Sequence, residues 1–452
     1  GRPPGTPGSV CQNPGVPLSG VDVAACARWL AQVADHPGDH ADLFLERREE
    51  LELPPGERRP GLRVVREQGL AVRLLRDRQT YLASADRLDG GAFADALRRA
   101  ARALPATSLS EPALAVPAWP EPAGGRELVA FAEAIRAGLR ASLVAFPLAL
   151  RVRAHRRWVQ VVGARLLAPS EQEAFYSVVA ETPWGALGRL LIGLDDAAAA
   201  ALVAALVARF QARDAAPPER ARQPLLLAPR AAAVFLHEAI AHTLEADLLA
   251  LGGRPEAAVG VELAPPWVSV IDDPAAAPPS LRRVTDDEGL PVVRRWLLRG
   301  GRVEQPLADT LWARHSPQLL PGAGWRGSRH EAPLPRSRHL ELAPGDFPLA
   351  ALLRRAEGGL FVEEVERGRL DPHTGELVLD LPFARRIRSA TVAEPVGRCR
   401  LRGRVAELLA GISAVGSDVE TAGAGWCAKG GQLLPVWARA GSLLLDRVEV
   451  GP

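Results

Sequence analysis

The middle of the chain contains one segment that gathers histidines and carboxylates within an apolar run. Its sequence is Phe235-Leu236-His237-Glu238-Ala239-Ile240-Ala241-His242-Thr243-Leu244-Glu245-Ala246-Asp247. The alanine- and leucine-rich surroundings predict a buried helix. Neutral imidazole is the commonest protein ligand for zinc, and a carboxylate beside a metal-bound water can accept its proton. The segment therefore suggests the metal site of a metallohydrolase.

The spacing of the two histidines predicts an irregular helix. His237 and His242 are five positions apart, which is about 140° around a regular α-helix, so their rings would point toward different neighbours. A π-bulge, with about 4.4 residues per turn, brings such positions back to within about 50° of each other. We therefore predict a bulged or broken helix between Glu238 and His242. The alternative is that both histidines are hydrogen-bonded core residues without a metal.

Length, charge and cysteine content limit the class of protein. A chain of 452 residues exceeds the usual size of one domain, so two are expected. The 55 basic and 53 acidic residues nearly cancel, which gives no argument for nucleic acid or an anionic membrane as the main partner. The apolar run at 197–207 is too short to cross a bilayer. Four cysteines are too few for a disulfide framework, which favours a reducing, cytoplasmic location.

The predicted fold class is α+β, with a mixed N-terminal domain followed by a mainly antiparallel β domain that carries the metal-binding helix. Residues 1–19 predict a flexible tail, residues 20–213 the first domain, residues 214–224 a proline-bearing linker and residues 225–452 the second domain. In the first domain we expect helices at 21–34, 92–104, 126–140 and 195–213 and strands at 42–46, 70–75, 81–84, 143–152 and 158–162.

Two loops of the second domain contain clustered charges. Asp286, Asp287 and Glu288 form an acidic cluster that, from its composition alone, predicts a solvated turn. The stretch 322–336 carries glycines and the basic residues Arg326, Arg329 and Arg336. It predicts either a plain surface loop or a loop that contacts peptide carbonyls or a carboxylate.

The central segment resembles the signature of the TldD/PmbA metallopeptidases, His-Glu-x-x-Gly-His-x-Leu-Glu-Gly-Asp. Ala241 and Ala246 stand where the family usually has glycine, and Thr243 occupies another position that is often glycine. None of these differences removes a ligand, although they make the backbone less permissive at the expected bulge. The resemblance extends over almost the whole chain, including the stretches 41–47, 68–73 and 443–451.

The third metal ligand is implied by a second motif near the end of the chain. Residues 425–432, Gly-Trp-Cys-Ala-Lys-Gly-Gly-Gln, resemble the family segment Cys-Gly-Lys-x-Gly-Gln, whose cysteine completes the metal site; Ala428 replaces its first glycine. The resemblance thus implies that Cys427 joins His237 and His242, and a thiolate beside two imidazoles suits zinc. Without the resemblance, Cys427 would more often be a small buried apolar residue.

The resemblance implies a zinc-dependent peptidase in which Glu238 is the general base. Glu245 and Asp247 would support the ligands, and the family order makes Asp287, Arg329 and Lys429 further candidates for ligand support or the substrate cleft. Implied substrates are peptides or unfolded segments, including leader peptides, and the implied assembly is a homodimer or a heterodimer with a PmbA-type subunit. The alternatives are a non-catalytic regulatory or binding subunit and a structural metal site without turnover.

Overall fold

The computed structural model describes residues 22–34, 39–56, 61–101, 118–119, 122, 124–164, 168–253 and 257–452. The predicted tail at residues 1–19 lies outside the described residues. The fold is α+β, as predicted: helices cover an antiparallel sheet in the N-terminal part, and antiparallel-rich sheets dominate the C-terminal part. Within the described ranges, no helix combines the length and the apolar character needed to cross a bilayer.

The N-terminal part is built on a six-stranded antiparallel sheet with strand order β3-β2-β1-β4-β5-β6. The strands are β1 His40–Leu53, β2 Arg63–Arg76, β3 Gln79–Ala85, β4 Ala149–Gly163, β5 Glu171–Thr182 and β6 Gly185–Leu191. The helices are α1 Val23–Val33, α2 Gly90–Ala100, α3 Gly125–Ala141 and α4 Asp196–Gln211. Their apolar faces form two clusters, one with α1 and α2 and one with α3 and α4.

Aspartates fix the start of three of these helices. The side chains of Asp22, Asp89 and Asp195 accept hydrogen bonds from the backbone N–H three residues further on, as N-caps do. The four predicted helices therefore form, although the second ends at Ala100 and part of its predicted range lies outside the described residues.

The prediction of two separate strands at 143–152 and 158–162 is wrong, because one continuous strand, β4, runs from Ala149 to Gly163. Its middle contains Arg156 and Arg157, which interrupt the apolar pattern but are nevertheless buried. Arg156 donates to Glu49 at 2.8 Å and Arg157 donates to Glu46 at 2.8 Å, both across the pairing of β1 with β4. Ion pairs between neighbouring strands replace the apolar contacts that the sequence pattern lacks.

The C-terminal part contains seventeen strands in the described residues, in sheets of nine, six and two. Their bounds are β7 Ala221–Leu227, β8 Val270–Asp272, β9 Arg295–Arg299, β10 Arg302–Val303, β11 Gly324–Trp325, β12 Leu334–Pro335, β13 His339–Leu342, β14 Leu360–Val362, β15 Arg367–Leu370, β16 Glu376–Leu381, β17 Ala384–Arg388, β18 Thr391–Val396, β19 Cys399–Arg404, β20 Ile412–Val415, β21 Glu420–Lys429, β22 Gln432–Ala440 and β23 Leu443–Gly451. The helices are α5 Pro229–Leu236, α6 Ala246–Gly252, α7 Thr310–His315, α8 Leu349–Arg355 and α9 Val405–Ala410.

The nine-stranded sheet has the order β15-β16-β19-β23-β7-β14-β17-β18, with β20 paired to β23, and the six-stranded sheet has the order β10-β9-β8-β13-β22-β21. Most neighbours are antiparallel; β7 with β14 and β13 with β22 are parallel. Strand β7 begins at Ala221, inside the predicted linker at 214–224, because its residues pair with β23. The domain boundary itself stays a prediction.

Helix α5 lies in the main core, which contains residues of both large sheets. Its residues Ala231, Ala232, Ala233, Phe235 and Leu236 are all fully buried. A helix that is apolar around most of its circumference must be surrounded by other elements, and the three alanines allow close approach of its neighbours. Pro229 occupies its first turn, where the missing N–H costs nothing. The core thus fixes the helix that leads into residues 237–242.

A buried network of ion pairs joins the N-terminal sheet to loops of the C-terminal part. Arg73 on β2 lies 2.6 Å from Glu288, and it also donates to Asp42 at 2.6 Å. Arg326 donates to the other oxygen of Asp42 at 3.2 Å. Asp287 lies 3.1 Å from Arg283 and 3.5 Å from Arg157 on β4. We call this set the buried ion network.

Both surface interpretations of the two loops are wrong. Asp286, Asp287 and Glu288 are fully buried, and each has a polar partner: backbone N–H groups donate to Asp286 and Asp287, and Arg73 pairs with Glu288. Arg326 and Arg329 are also buried, and Arg329 pairs with Asp86 at 2.6 Å, in the N-terminal part. The proposal that Asp287 and Arg329 support the ligands or border a substrate cleft stays a prediction; in the structure Asp287 pairs with Arg157 and Arg329 with Asp86, both in the N-terminal part.

Removal of the Asp287 charge should destabilise the protein strongly. Burial raises the pKa of Asp287, but Arg157 and Arg283 lower it more, so the pKa lies below its ordinary value. Asp287→Asn leaves these arginines without their partner and should lower the free energy of unfolding by about 3–5 kcal/mol near pH 7. This difference should shrink as the pH falls below about 4, because protonation of Asp287 removes the same charge. Urea denaturation at several pH values measures it.

The matched control is Asp380→Asn. Asp380 pairs with Arg400 at 2.8 Å, but the Arg400 side chain is 55% exposed. A solvated pair contributes about 0–1 kcal/mol. Equal effects of the two substitutions would contradict the structural role of the buried ion network.

Candidate metal centre

The helix changes type at the histidine motif, as predicted from the spacing. Helix α5 ends at Leu236, and residues His237–Ala241 form a π-helical turn in which the backbone N–H of His242 donates to the carbonyl of His237. A short 3₁₀ turn, His242–Leu244, follows. The wider turn brings the two imidazole rings to a centroid distance of 4.6 Å. Thus the five-residue spacing places both rings on one side of the helix.

Cys427 approaches the two histidines from strand β21 of the six-stranded sheet. Its Sγ atom lies 3.3 Å from Nε2 of His242. One possible ligand atom from each of His237, His242 and Cys427 lies within 4.8 Å of the others, and all three residues are buried. Nε2 of His237 is buried and has no hydrogen-bond partner in the described structure.

These residues fit a zinc ion. Two imidazoles and one thiolate are three of the four ligands of a catalytic zinc site, and the fourth position stays open for water or substrate. A buried imidazole nitrogen without a partner is costly in a protein interior, and a metal would satisfy it. The ligand atoms therefore form a candidate metal centre.

The electrostatics distinguish Cys427 from another buried cysteine of the chain. Burial raises the pKa of Cys427, but the neighbouring histidines His242 and His237 lower it more, so the pKa lies well below that of an ordinary thiol. Burial alone raises the pKa of Cys399 to about 12. Of these two thiols, only Cys427 lies in surroundings that stabilise a thiolate.

Glu238 lies on the wall of a cavity at this centre. The cavity has a volume of about 620 Å³ and is lined by residues that include Glu238, His242, Trp426 and Cys427. Burial raises the pKa of Glu238 above its ordinary value, although His242 and His237 act in the opposite direction. The carboxyl group thus shares an enclosed space with the possible metal ligands.

A series of hydrogen bonds fixes His242 through the ring nitrogen that does not face Cys427. Its Nδ1 lies 2.8 Å from Oε2 of the fully buried Glu245, which leaves Nε2 to face Cys427. Nζ of Lys429 lies 3.0 Å from Glu245, and it donates to Asp247 and to the carbonyl of Pro335 at 2.7 Å each. Metal-binding histidines usually have such a carboxylate on the second ring nitrogen.

Lys429 is the only lysine of the chain, and all other basic residues apart from histidine are arginines. Its three contacts use the three N–H donors of one compact ammonium group. The planar guanidinium of arginine presents its donors in a fixed fork and cannot occupy the same point. This scarcity of lysine is a signal in the sequence that could have identified Lys429 as a residue with a specific geometric role.

Strand β15 closes the cavity beside Glu238, and no motif identified it from the sequence. Gly368 lies so close that a Cβ atom there would be 2.3 Å from Cγ of Glu238. A glycine within a strand is a weak sign of close approach by another group, and it is the only sequence signal here. Arg336 was named from its loop; it donates to the carbonyl of Cys427 at 2.6 Å and so fixes β21.

Replacement of Lys429 should disturb the site even when the positive charge is kept. Lys429→Met leaves the buried Glu245 without its cation and should lower the free energy of unfolding of the metal-free protein by about 3 kcal/mol. Lys429→Arg should not restore full stability, because the guanidinium is larger and planar. Urea denaturation provides the measurement. Wild-type stability of Lys429→Arg would contradict the geometric requirement.

Comparison with known proteins agrees with this arrangement. A family model described as the PmbA/TldA metallopeptidase C-terminal domain matches residues 220–452. A protein named metalloprotease from Methanothermobacter thermautotrophicus is 30% identical over 223 residues, which are 49% of this chain and 48% of the relative. A metalloprotease TldD homolog from Buchnera aphidicola subsp. Schizaphis graminum is 29% identical over 234 residues, 50% of this chain and 48% of the relative. The chain thus spans about half the length of the curated relatives it matches.

Solved structures show the same fold along nearly the whole chain. TldE from Thermococcus kodakarensis has a TM-score of 0.72 at 17% identity and covers 95% of this chain and 99% of its own. A putative modulator of a DNA gyrase from Thermotoga maritima has a TM-score of 0.70 at 19% identity and covers 93% of this chain and 98% of its own. Because the family model matches more than half of the sequence, the chain belongs to the TldD/PmbA family of metallopeptidases.

Proposed function

We propose that this protein is a zinc-dependent peptidase, with His237, His242 and Cys427 as the metal ligands and Glu238 as the general base. The observation that carries the proposal is the meeting of the three possible ligand atoms within 4.8 Å, beside a cavity that Glu238 also lines. When bound, zinc supplies a Lewis acid that polarises a carbonyl group and makes water more acidic.

Residues of the chain would transfer the proton, orient the ligands and balance their charge. A carboxylate oxygen of Glu238 would take a proton from the attacking water and return it to the leaving amine. Glu245 would hold His242 in one tautomer and orientation, and Lys429 would balance the charge of Glu245. Strand β15 would keep the Glu238 side chain from turning away from the reacting groups, because Gly368 packs against it.

The substrate and assembly belong to the same proposal. Peptides or unfolded segments, including leader peptides, fit a metallopeptidase family, and a homodimer or a heterodimer with a PmbA-type subunit fits the likeness to a protein named TldE. A reducing compartment such as the cytoplasm would keep the Cys427 thiol available to the metal. The balanced charge of the chain gives no support to a role in binding nucleic acid.

Glu238→Gln should separate catalysis from metal binding. The substitution keeps the size of the side chain but removes its ability to accept a proton, so peptide cleavage should fall by about 10²–10⁴-fold while zinc content stays unchanged. Cleavage assays and elemental analysis on the same preparations provide the measurements. The control is Glu407→Gln, on an exposed residue of α9, which should retain activity. Bound zinc with equally negligible cleavage in wild type and Glu238→Gln would contradict the peptidase proposal and favour a non-catalytic or structural site.

Cys427→Ala tests the third ligand. Loss of a group that only supports a metal ligand typically reduces metal affinity by about 10–100-fold. Loss of one of the three protein ligands should therefore reduce zinc affinity by at least this factor. The matched control is Cys399→Ala, because Cys399 is also buried but lies in the core with a raised thiol pKa. Competition with a chelator measures both affinities. Equal affinities in the two variants would remove Cys427 from the ligand set.

A further inference from the structure

A second cavity adjoins the metal cavity and contains the start of the same helix. It has a volume of about 280 Å³, and its walls include Arg230 and Val234 of α5. Val234 also lines the metal cavity, as do Trp426 and Gly425 of β21. Gly425 has φ +123°, and a Cβ atom built there would meet nothing within 4 Å. The two cavities therefore share lining residues, and their common wall carries no side chain at Gly425.

The charges in this second cavity do not cancel. Of its three arginines, Arg189 pairs with Glu364, and Arg209 lies 3.4 Å from Glu366 and donates to backbone carbonyls. Within the described residues, Arg230 makes no hydrogen bond or ion pair. Burial and the nearby Arg189 lower the pKa of Arg230 more than Glu364 and Glu420 raise it. One partly buried guanidinium thus faces the cavity with its charge incompletely balanced.

The distance between Arg230 and Glu238 corresponds to a few residues of an extended peptide substrate. Eight positions of helix separate it from Glu238, which corresponds to about 12 Å along the axis. An extended peptide advances about 3.3–3.6 Å per residue. A peptide whose scissile bond lies beside Glu238 would therefore bring a group three or four residues away to Arg230. A guanidinium binds carboxylates preferentially, because its paired N–H donors match the two oxygens.

We propose that Arg230 forms a subsite for a carboxylate of the peptide substrate, three or four residues from the scissile bond. The carboxylate belongs either to an acidic side chain or to the end of the peptide. This inference rests on the proposed function and adds to it a preference for negatively charged peptides. Arg230 is thus a specificity-determining residue, whereas Glu238 and the metal ligands act on a different part of the substrate.

Peptide binding to the zinc-loaded Glu238→Gln protein tests the subsite without turnover. The probes are fluorescein-labelled peptides of alanine, serine and glycine in which one glutamate is moved along the chain, each with a glutamine counterpart and each ending in an acid or an amide. One carboxylate position should bind about tenfold more tightly than its uncharged counterpart, in accord with a hydrogen-bonded charge pair. The glutamate scan reports an acidic side chain, and the acid–amide pair reports a chain terminus.

Variants of Arg230 assign the preference to this residue. Arg230→Met should abolish the preference while changing the affinity for uncharged peptides by less than about twofold, and Arg230→Lys should keep part of it. The control is Arg354→Met, on an exposed arginine of α8 that lines neither of the two cavities, and this variant should keep the preference. A preference that persists in Arg230→Met, or equal binding of charged and uncharged peptides to the parent protein, would overturn the subsite alone. Failure of every peptide to bind would overturn both the subsite and the proposed function.

Discussion

The π-helical turn at His237–Ala241 is the constraint on which the rest of the candidate site depends. In a regular α-helix the two imidazoles would diverge by about 140°, and no single ion could contact both. The wider turn brings the rings to a centroid distance of 4.6 Å without a glycine at Ala241. The turn is supported from both sides, because α5 is buried in the main core before it and Glu245 binds His242 after it.

Two strands that are distant in the sequence bring the remaining groups of the candidate site to this turn. Strand β21 brings Cys427 to the histidines and Lys429 to the carboxylates, so one strand supplies both the third candidate ligand and the charge that balances Glu245, the hydrogen-bond partner of His242. Strand β15, at the edge of the other large sheet, packs Gly368 against Glu238. The centre therefore forms only when both sheets are in place around α5, which couples the candidate chemistry to the fold of the C-terminal part.

The sequence predicted the features that are local or that follow a motif. The spacing of His237 and His242 was sufficient to predict the π-turn, and the family resemblance added Cys427. The sequence did not predict features that depend on pairing between distant residues. Arg156 in β4 can be buried because it pairs with Glu49, and Asp287 can be buried because it pairs with arginines of both parts of the chain. In the sequence alone, such charged residues cannot be distinguished from solvent-exposed ones, because their partners lie far away along the chain.

In the proposed centre, two imidazoles and one thiolate of this chain bind one zinc ion. X-ray absorption spectroscopy of the zinc-loaded protein tests it most directly, because sulfur and nitrogen ligands differ in distance and scattering. We expect one sulfur at about 2.3 Å and nitrogen or oxygen ligands at about 2.0–2.1 Å, with one zinc per chain. A zinc environment without sulfur, or a purified protein that takes up no stoichiometric zinc, would contradict it.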